Sequence, residues 1–211
     1  MKTNILGMIK LGLILAAFAA AACLMLAFVY NGTTAIIAQR QQADLEAALK
    51  ELFPDAEKFE KIDDVTSPDK TVTIEAGYAA HKNGRIEGAA LRVSRASYSG
   101  QIISLVGVSA NGTITGVKIL EHSDTPGLGA NAMSPTYFVD RAKGLTFYGQ
   151  FAGKKITDPF VVKEDVIAIT ASTITSRAVS ASVKAAGLAF SSWLSGEEAD
   201  AVTSASMEGE E

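Results

Sequence analysis

The chain has 211 residues, of which 48% are hydrophobic and 20% charged, with a formal net charge of −4 and a single cysteine. This length holds one sizeable domain with an appendage, and the apolar excess points to a membrane segment. With Lys2 and Lys10 set aside, 17 basic and 23 acidic side chains remain, a formal charge of −6; without clustered Lys and Arg this excludes a nucleic-acid partner, and the lone Cys23 excludes disulfides within the chain and thiolate metal sites.

No charged residue occurs between Leu11 and Tyr30, a run long enough to cross a bilayer core as a helix. Lys2 and Lys10 precede it and Arg40 is the first charge after it, so the positive-inside bias predicts a single-pass anchor with a cytoplasmic N-terminus and an extracytoplasmic main domain. Ala20-Ala21-Ala22 and Cys23 offer two competing readings, a signal-peptidase site and a lipidated cysteine. Both fit poorly. Leu24 to Tyr30 carry the apolar core past the site, and Ala20 stands where a lipobox normally has Leu.

Thr33 or Thr34 is placed to cap a second helix through Phe53, ended by Pro54, with Leu45, Leu49, Leu52 and Phe53 on one face. This helix either lies on the domain or continues the anchor as a stalk. Asp63 to Lys70 reads as a loop. A β-rich region follows, with alternation over Thr71 to Ala76, a turn at His81-Lys82-Asn83-Gly84, and a hairpin pairing Gln101–Val108 with Thr113–Leu120 across Asn111-Gly112. Phe160 to Val162 and Val166 to Ile169 read as further short strands. A helix is expected from Ser176 to Leu194, with Val179, Val183, Ala186, Phe190 and Trp193 as its buried face. The segments are therefore an anchor over 1–32, a helical stalk and linker over 33–69, a domain over 70–195, and an acidic tail over 196–211 expected to be disordered. The fold class is α+β, with antiparallel hairpins and flanking helices behind a single transmembrane helix.

Two motifs carry chemistry. Thr170-Ala171-Ser172-Thr173-Ile174-Thr175-Ser176 places five hydroxyls where an apolar run hands over to a helix. Free amides and the positive end of the helix dipole suit an anion there, although Ser and Thr also serve simply as caps. Upstream, Glu121-His122-Ser123-Asp124-Thr125-Pro126-Gly127-Leu128-Gly129 ends the hairpin in a Pro-Gly turn that lets backbone approach a ligand closely.

The order and spacing of these stretches resemble the G subunit of the Rnf (Rsx) electron-transport complexes and, more distantly, the C subunit of the sodium-pumping NADH:quinone reductase. That family joins an N-terminal anchor, a Glu-Thr-Pro-Gly-Leu-Gly-like loop, here Asp124 to Gly129, and a Ser/Thr-Gly-Ala-Thr/Ser-x-Thr/Ser flavinylation motif, here Thr170 to Thr175. The chain departs from the pattern at Ala171 for Gly, Ser172 for Ala, Asp124 for Glu, and Ile167 where an Asp usually precedes the motif. The resemblance implies an extracytoplasmic FMN-binding domain in which FMN is esterified through its phosphate to Thr175. Thr173, Ser172 and Ser176 would then donate hydrogen bonds to phosphate oxygens. Thr125, Gly127, Leu128 and Gly129 would approach the flavin ring, Glu121 and His122 would line it, and Tyr137, Phe138, Phe147 or Tyr148 would stack on it. Arg177 and Lys184 are further charge partners to consider.

The function implied is a redox subunit of an ion-translocating ferredoxin:NAD⁺ oxidoreductase, lodged in the cell (inner) membrane and working with the complex's other subunits. A flavin transferase would be needed for maturation, and no complete active site is expected in this chain alone. The alternative is an extracytoplasmic FMN-domain or ligand-binding module that serves another membrane complex.

Overall fold

A computed structural model of the chain describes residues 5–63 and 65–208, with side chains over 6–63 and 65–196. Two compact units divide it, residues 1–45 and residues 46–211.

Helix α1 runs unbroken from Ile5 to Leu52. Within it, residues 6–37 expose Leu, Ile, Met and Phe side chains on all sides, and the helix is long and apolar enough to cross a membrane. Thr33 and Thr34 start no new helix. Their hydroxyls donate back to the Val29 and Tyr30 carbonyls at 2.9 and 2.7 Å, and so are satisfied inside a continuous helix. As expected, the helix stops just before Pro54.

In the second unit, five antiparallel strands lie in simple sequential order: β1 (Lys58–Ile62), β2 (Val72–Lys82), β3 (Arg85–Ala96), β4 (Gln101–Ser109) and β5 (Ile114–His122). Asn83 and Gly84, both with positive φ, make the β2–β3 turn, and the β4–β5 hairpin turns at Gly112 as the sequence implies. β1 lies in residues expected to be linker, and the compact unit begins at Glu46 rather than near residue 70. The expected loop follows β1, with Asp64 outside the described residues.

β4 is buried on both faces, which explains its nearly uninterrupted apolar run. On one face, Leu52 and Phe53 at the end of α1 sit over the small residues of β3, β4 and β5. A Cβ built on Gly116 would stand 2.9 Å from Leu52 Cδ2, and one on Gly88 2.8 Å from Phe53 Cε1. On the other face, Leu91, Val93, Ile102, Val106 and Val108 form a core with helix α2 (Thr173–Glu208). Val179, Val183, Ala186 and Phe190 are the buried face of α2, as their spacing predicts, and Trp193 stacks on Phe190. The helix starts three residues earlier than expected and its backbone continues past Leu194 to Glu208, so the acidic segment expected to be disordered is helical to that point. Residues 209–211 lie outside the description.

Between β5 and α2 the chain forms a small two-stranded sheet, β6 (Phe138–Asp140) with β7 (Leu145–Thr146), and irregular segments that close the core. The expected strands at 160–162 and 166–169 are absent, and only an isolated Val162–Val166 bridge remains. Phe160 and Lys163 take positive φ, and their neighbourhood is wound around the Asp165 carboxylate instead. Phe160 and Val161 amides donate to it at 3.1 and 2.6 Å, and Lys154 Nζ at 3.1 Å. Burial alone would raise the Asp165 carboxyl, but Lys154 and the two amides hold it below the usual aspartate value. A carboxylate with a depressed folded-state pKa stabilises the fold above about pH 4, and that stability is lost as pH falls through the folded value. Asp165→Asn should therefore cost about 2 kcal/mol at pH 7, with the gap to wild type narrowing as pH falls below about 4 in thermal melts.

Candidate functional site

The start of α2 and the loop after β5 meet at one end of the sheet. The helix begins where Ser172 O accepts the Ser176 amide at 3.0 Å, so Thr175 lies in the first turn. The amides of Thr173, Ile174 and Thr175 precede the first intrahelical hydrogen bond and form the positive end of the helix dipole. Immediately upstream, Ala171 holds φ = +60°, a conformation that costs a residue with a Cβ about 1 kcal/mol. Ala171→Gly is thus expected to raise stability by up to about 1 kcal/mol, a rise in melting temperature of a few degrees.

At the centre is a buried carboxylate. Asp124, 5% exposed, accepts from the Thr175 hydroxyl at 2.7 Å and the Ser97 hydroxyl at 2.6 Å through Oδ2, and from the Ser99 amide at 2.9 Å through Oδ1. Thr175 itself is only 1% exposed. Burial pushes the Asp124 carboxyl up, but the Ser97 and Thr175 hydroxyls, the Ser99 amide and nearby His122 together hold it below the ordinary value. The cluster ties three segments together: the β3–β4 turn, the β5 loop and the helix start. Gly129 makes this approach possible, since a Cβ there would stand 2.6 Å from Thr175 Oγ1 and 2.7 Å from Asp124 Oδ2.

Against the cluster lies a cavity of about 380 Å³, lined by Tyr98, Asp124, Thr125, Leu128, Gly129 and the run Ala171 to Thr175. That volume is in the range of small-molecule sites. Its rim is apolar and open, with Tyr98, Leu128 and Ile174 all exposed.

Of the residues singled out in the sequence, Thr175, Thr173, Ser172, Thr125, Leu128 and Gly129 converge on this cavity. Others do not. The Ser176 hydroxyl is buried, donates to Ser172 O and accepts the Ile169 amide, so it serves the helix start rather than a ligand. Glu121 pairs with Arg92 at 3.0 Å away from the cavity lining. His122 lies close enough to influence Asp124, and its buried Nδ1 has no hydrogen-bond partner among the described residues, but it does not line the cavity. Gly127, at φ = +78°, shapes the turn, where its carbonyl accepts from Asn131 Nδ2.

None of the four aromatics expected to stack lines the cavity. Phe147 is fully buried edge-on against Phe151, Tyr137 Oη accepts the Thr170 amide, Tyr148 lies under Lys118 Nζ, and Phe138 sits in β6. Arg177 is exposed, and Lys184 Nζ donates to Pro159 O. The aromatic that does reach the cavity is Tyr98, in Ser97-Tyr98-Ser99-Gly100. The signal for it was available: a polar, glycine-ended turn carrying one aromatic between two strands.

Residues 97–187 match the FMN-binding domain family, a span that includes every residue lining the cavity, so the class is that of an FMN-binding domain behind an apolar N-terminal helix. Residues 1–52 match the RnfG N-terminal region. The chain is 32% identical over 191 residues to the G subunit of the Na⁺-translocating ferredoxin:NAD⁺ oxidoreductase complex of Acetobacterium woodii, covering 82% of this chain and 87% of that one. It is also 32% identical over 168 residues to the G subunit of the proton-translocating ferredoxin:NAD⁺ oxidoreductase complex of Clostridium ljungdahlii, covering 77% and 80%. The chain belongs to the family of G subunits of ion-translocating Rnf-type oxidoreductase complexes. The crystal structure of Shewanella oneidensis NqrC overlaps 63% of this chain and 65% of its own, with a TM-score of 0.41 and 18% identity.

Proposed function

We propose that the chain carries electrons on an FMN esterified through its phosphate to Thr175, as one component of a ferredoxin:NAD⁺ oxidoreductase complex coupled to ion transport. The observation that carries this reading is the meeting, at one cavity, of the Thr175 hydroxyl, the first turn of α2 and an apolar open rim. The residues fit the group. First-turn amides and the Thr173 hydroxyl would face the phosphate, and Gly129 leaves the space that a Cβ would fill. Thr125 and Leu128 would border the ring at the rim, where it remains open to an electron partner. When bound, the flavin supplies one- and two-electron transfer, and the protein's part is to hold, orient and tune it. A covalent tether prevents loss of the cofactor outside the cytoplasm. The apolar helix would cross the membrane once, N-terminus inside, with the flavin domain on the outer face; Lys2 and Lys10 before the span, with no charge after it until Arg40, support that orientation.

The other subunits of the complex are the partners, and a flavin transferase makes the ester. The test is to express the chain with and without a flavin transferase and separate it on a denaturing gel. Yellow-green fluorescence under ultraviolet light that survives denaturation and requires the transferase is the expected result. A dark band from the co-expressed protein would contradict the reading.

A further inference from the structure

The flavin reading requires Thr175 Oγ1 to become an ester oxygen, yet an alcohol is a weak nucleophile at neutral pH and gains reactivity from a base within hydrogen-bond reach, itself held by a third group. Asp124 meets both conditions. Its Oδ2 lies 2.7 Å from Thr175 Oγ1, while the Ser97 hydroxyl and the Ser99 amide fix the carboxylate from the adjoining turn. We propose that Asp124 accepts the Thr175 proton as the flavin ester forms, a role that rests on the flavin reading. The chain thus supplies part of the chemistry of its own modification.

The step balances without oxidation or reduction. A bond forms between Thr175 Oγ1 and phosphorus, the bond from phosphorus to the leaving phosphate of a pyrophosphate-linked flavin donor breaks, and the leaving group departs with the electron pair. The proton passes to Asp124 Oδ2. The product explains why the acceptor belongs here. The phosphodiester brings a negative charge beside Asp124 and removes the Thr175 donor, and both changes favour a neutral carboxyl. A proton retained on Asp124 leaves one negative charge in the buried cluster instead of two.

The experiment uses the full chain in detergent with purified flavin transferase and a pyrophosphate-linked flavin donor, following the mass of the intact chain with time. Asp124→Asn should slow labelling by about 10²-fold while keeping the wild-type circular dichroism spectrum, and Asp124→Glu should restore most of the rate. A slowing of less than about tenfold in a folded Asp124→Asn chain overturns the proposal, as does an Asp124→Glu chain no faster than Asp124→Asn. Should Asp124→Asn fail to fold, Asp124→Glu carries the test. It keeps a carboxylate in place of the proposed base, so a folded Asp124→Glu chain should label within about tenfold of wild type. A greater loss overturns the proposal. A wild-type chain that takes no label defeats the flavin reading itself, whereas labelled wild type with an equally labelled Asp124→Asn defeats this proposal alone.

Discussion

Thr175→Ala, co-expressed with a flavin transferase, should carry no covalent flavin, while Thr175→Ser retains a fluorescent band. The change removes the one hydroxyl that combines contact with Asp124, a place in the first turn of α2 and a wall of the cavity. The fold should survive. Asp124 keeps the Ser97 hydroxyl and the Ser99 amide, so the loss of one donor to a buried carboxylate lowers stability by about 1–3 kcal/mol. Denaturing-gel fluorescence and thermal melting of the same preparations separate the chemical loss from the structural one. A fluorescent Thr175→Ala band would place the flavin on another residue.

Gly129→Ala should damage both the cluster and its modification. The added methyl would lie 2.6 Å from Thr175 Oγ1 and 2.7 Å from Asp124 Cβ and Oδ2, among buried atoms fixed by hydrogen bonds. Overpacking of this kind costs about 1–3 kcal/mol, and the displaced Thr175–Asp124 pair should slow labelling severely. Gly127→Ala is the comparison. It meets no atom within 4 Å but sits at φ = +78°, so it should cost about 1 kcal/mol in backbone strain while labelling continues. Melting temperature and labelling rate for the two variants check the contrast. Equal labelling of both would show that the close approach at Gly129 has no part in the site.

The features legible in the sequence were those set by local rules. The apolar helix, the Asn111-Gly112 hairpin and the buried stripe of α2 follow from periodicity and turn chemistry, and each stands where it was expected. The hydroxyl run was legible as a helix start, but not which hydroxyls face the cavity. Ser176 turns inward because its Oγ bridges Ser172 O and the Ile169 amide, a choice made by loop geometry. Residues 160–169 look like strands by composition, yet the Asp165 carboxylate takes the Phe160 and Val161 amides for itself, a local side-chain-to-backbone bonding that competes with strand pairing and that propensity does not record. The site's aromatic was missed for a similar reason. Phe147 and Tyr137 attract notice by following the Gly-rich loop, but core packing and a hydrogen bond to Thr170 claim them, while Tyr98 reaches the cavity through the Asp124 clamp from a distant turn. Ala171 illustrates the opposite case: a departure from the flavinylation pattern that was visible in the sequence acquires its physical meaning only from φ = +60°.

The most direct measurement is tandem mass spectrometry of the tryptic peptide 164–177 from chain matured with a flavin transferase. The peptide lies between Lys163 and Arg177 and contains the whole hydroxyl run. Covalent FMN at Thr175 predicts a peptide heavier by one FMN less one water, with fragment ions that place the addition on Thr175. An unmodified peptide from matured protein, or an addition located on Thr170, Ser172, Thr173 or Ser176, would contradict it.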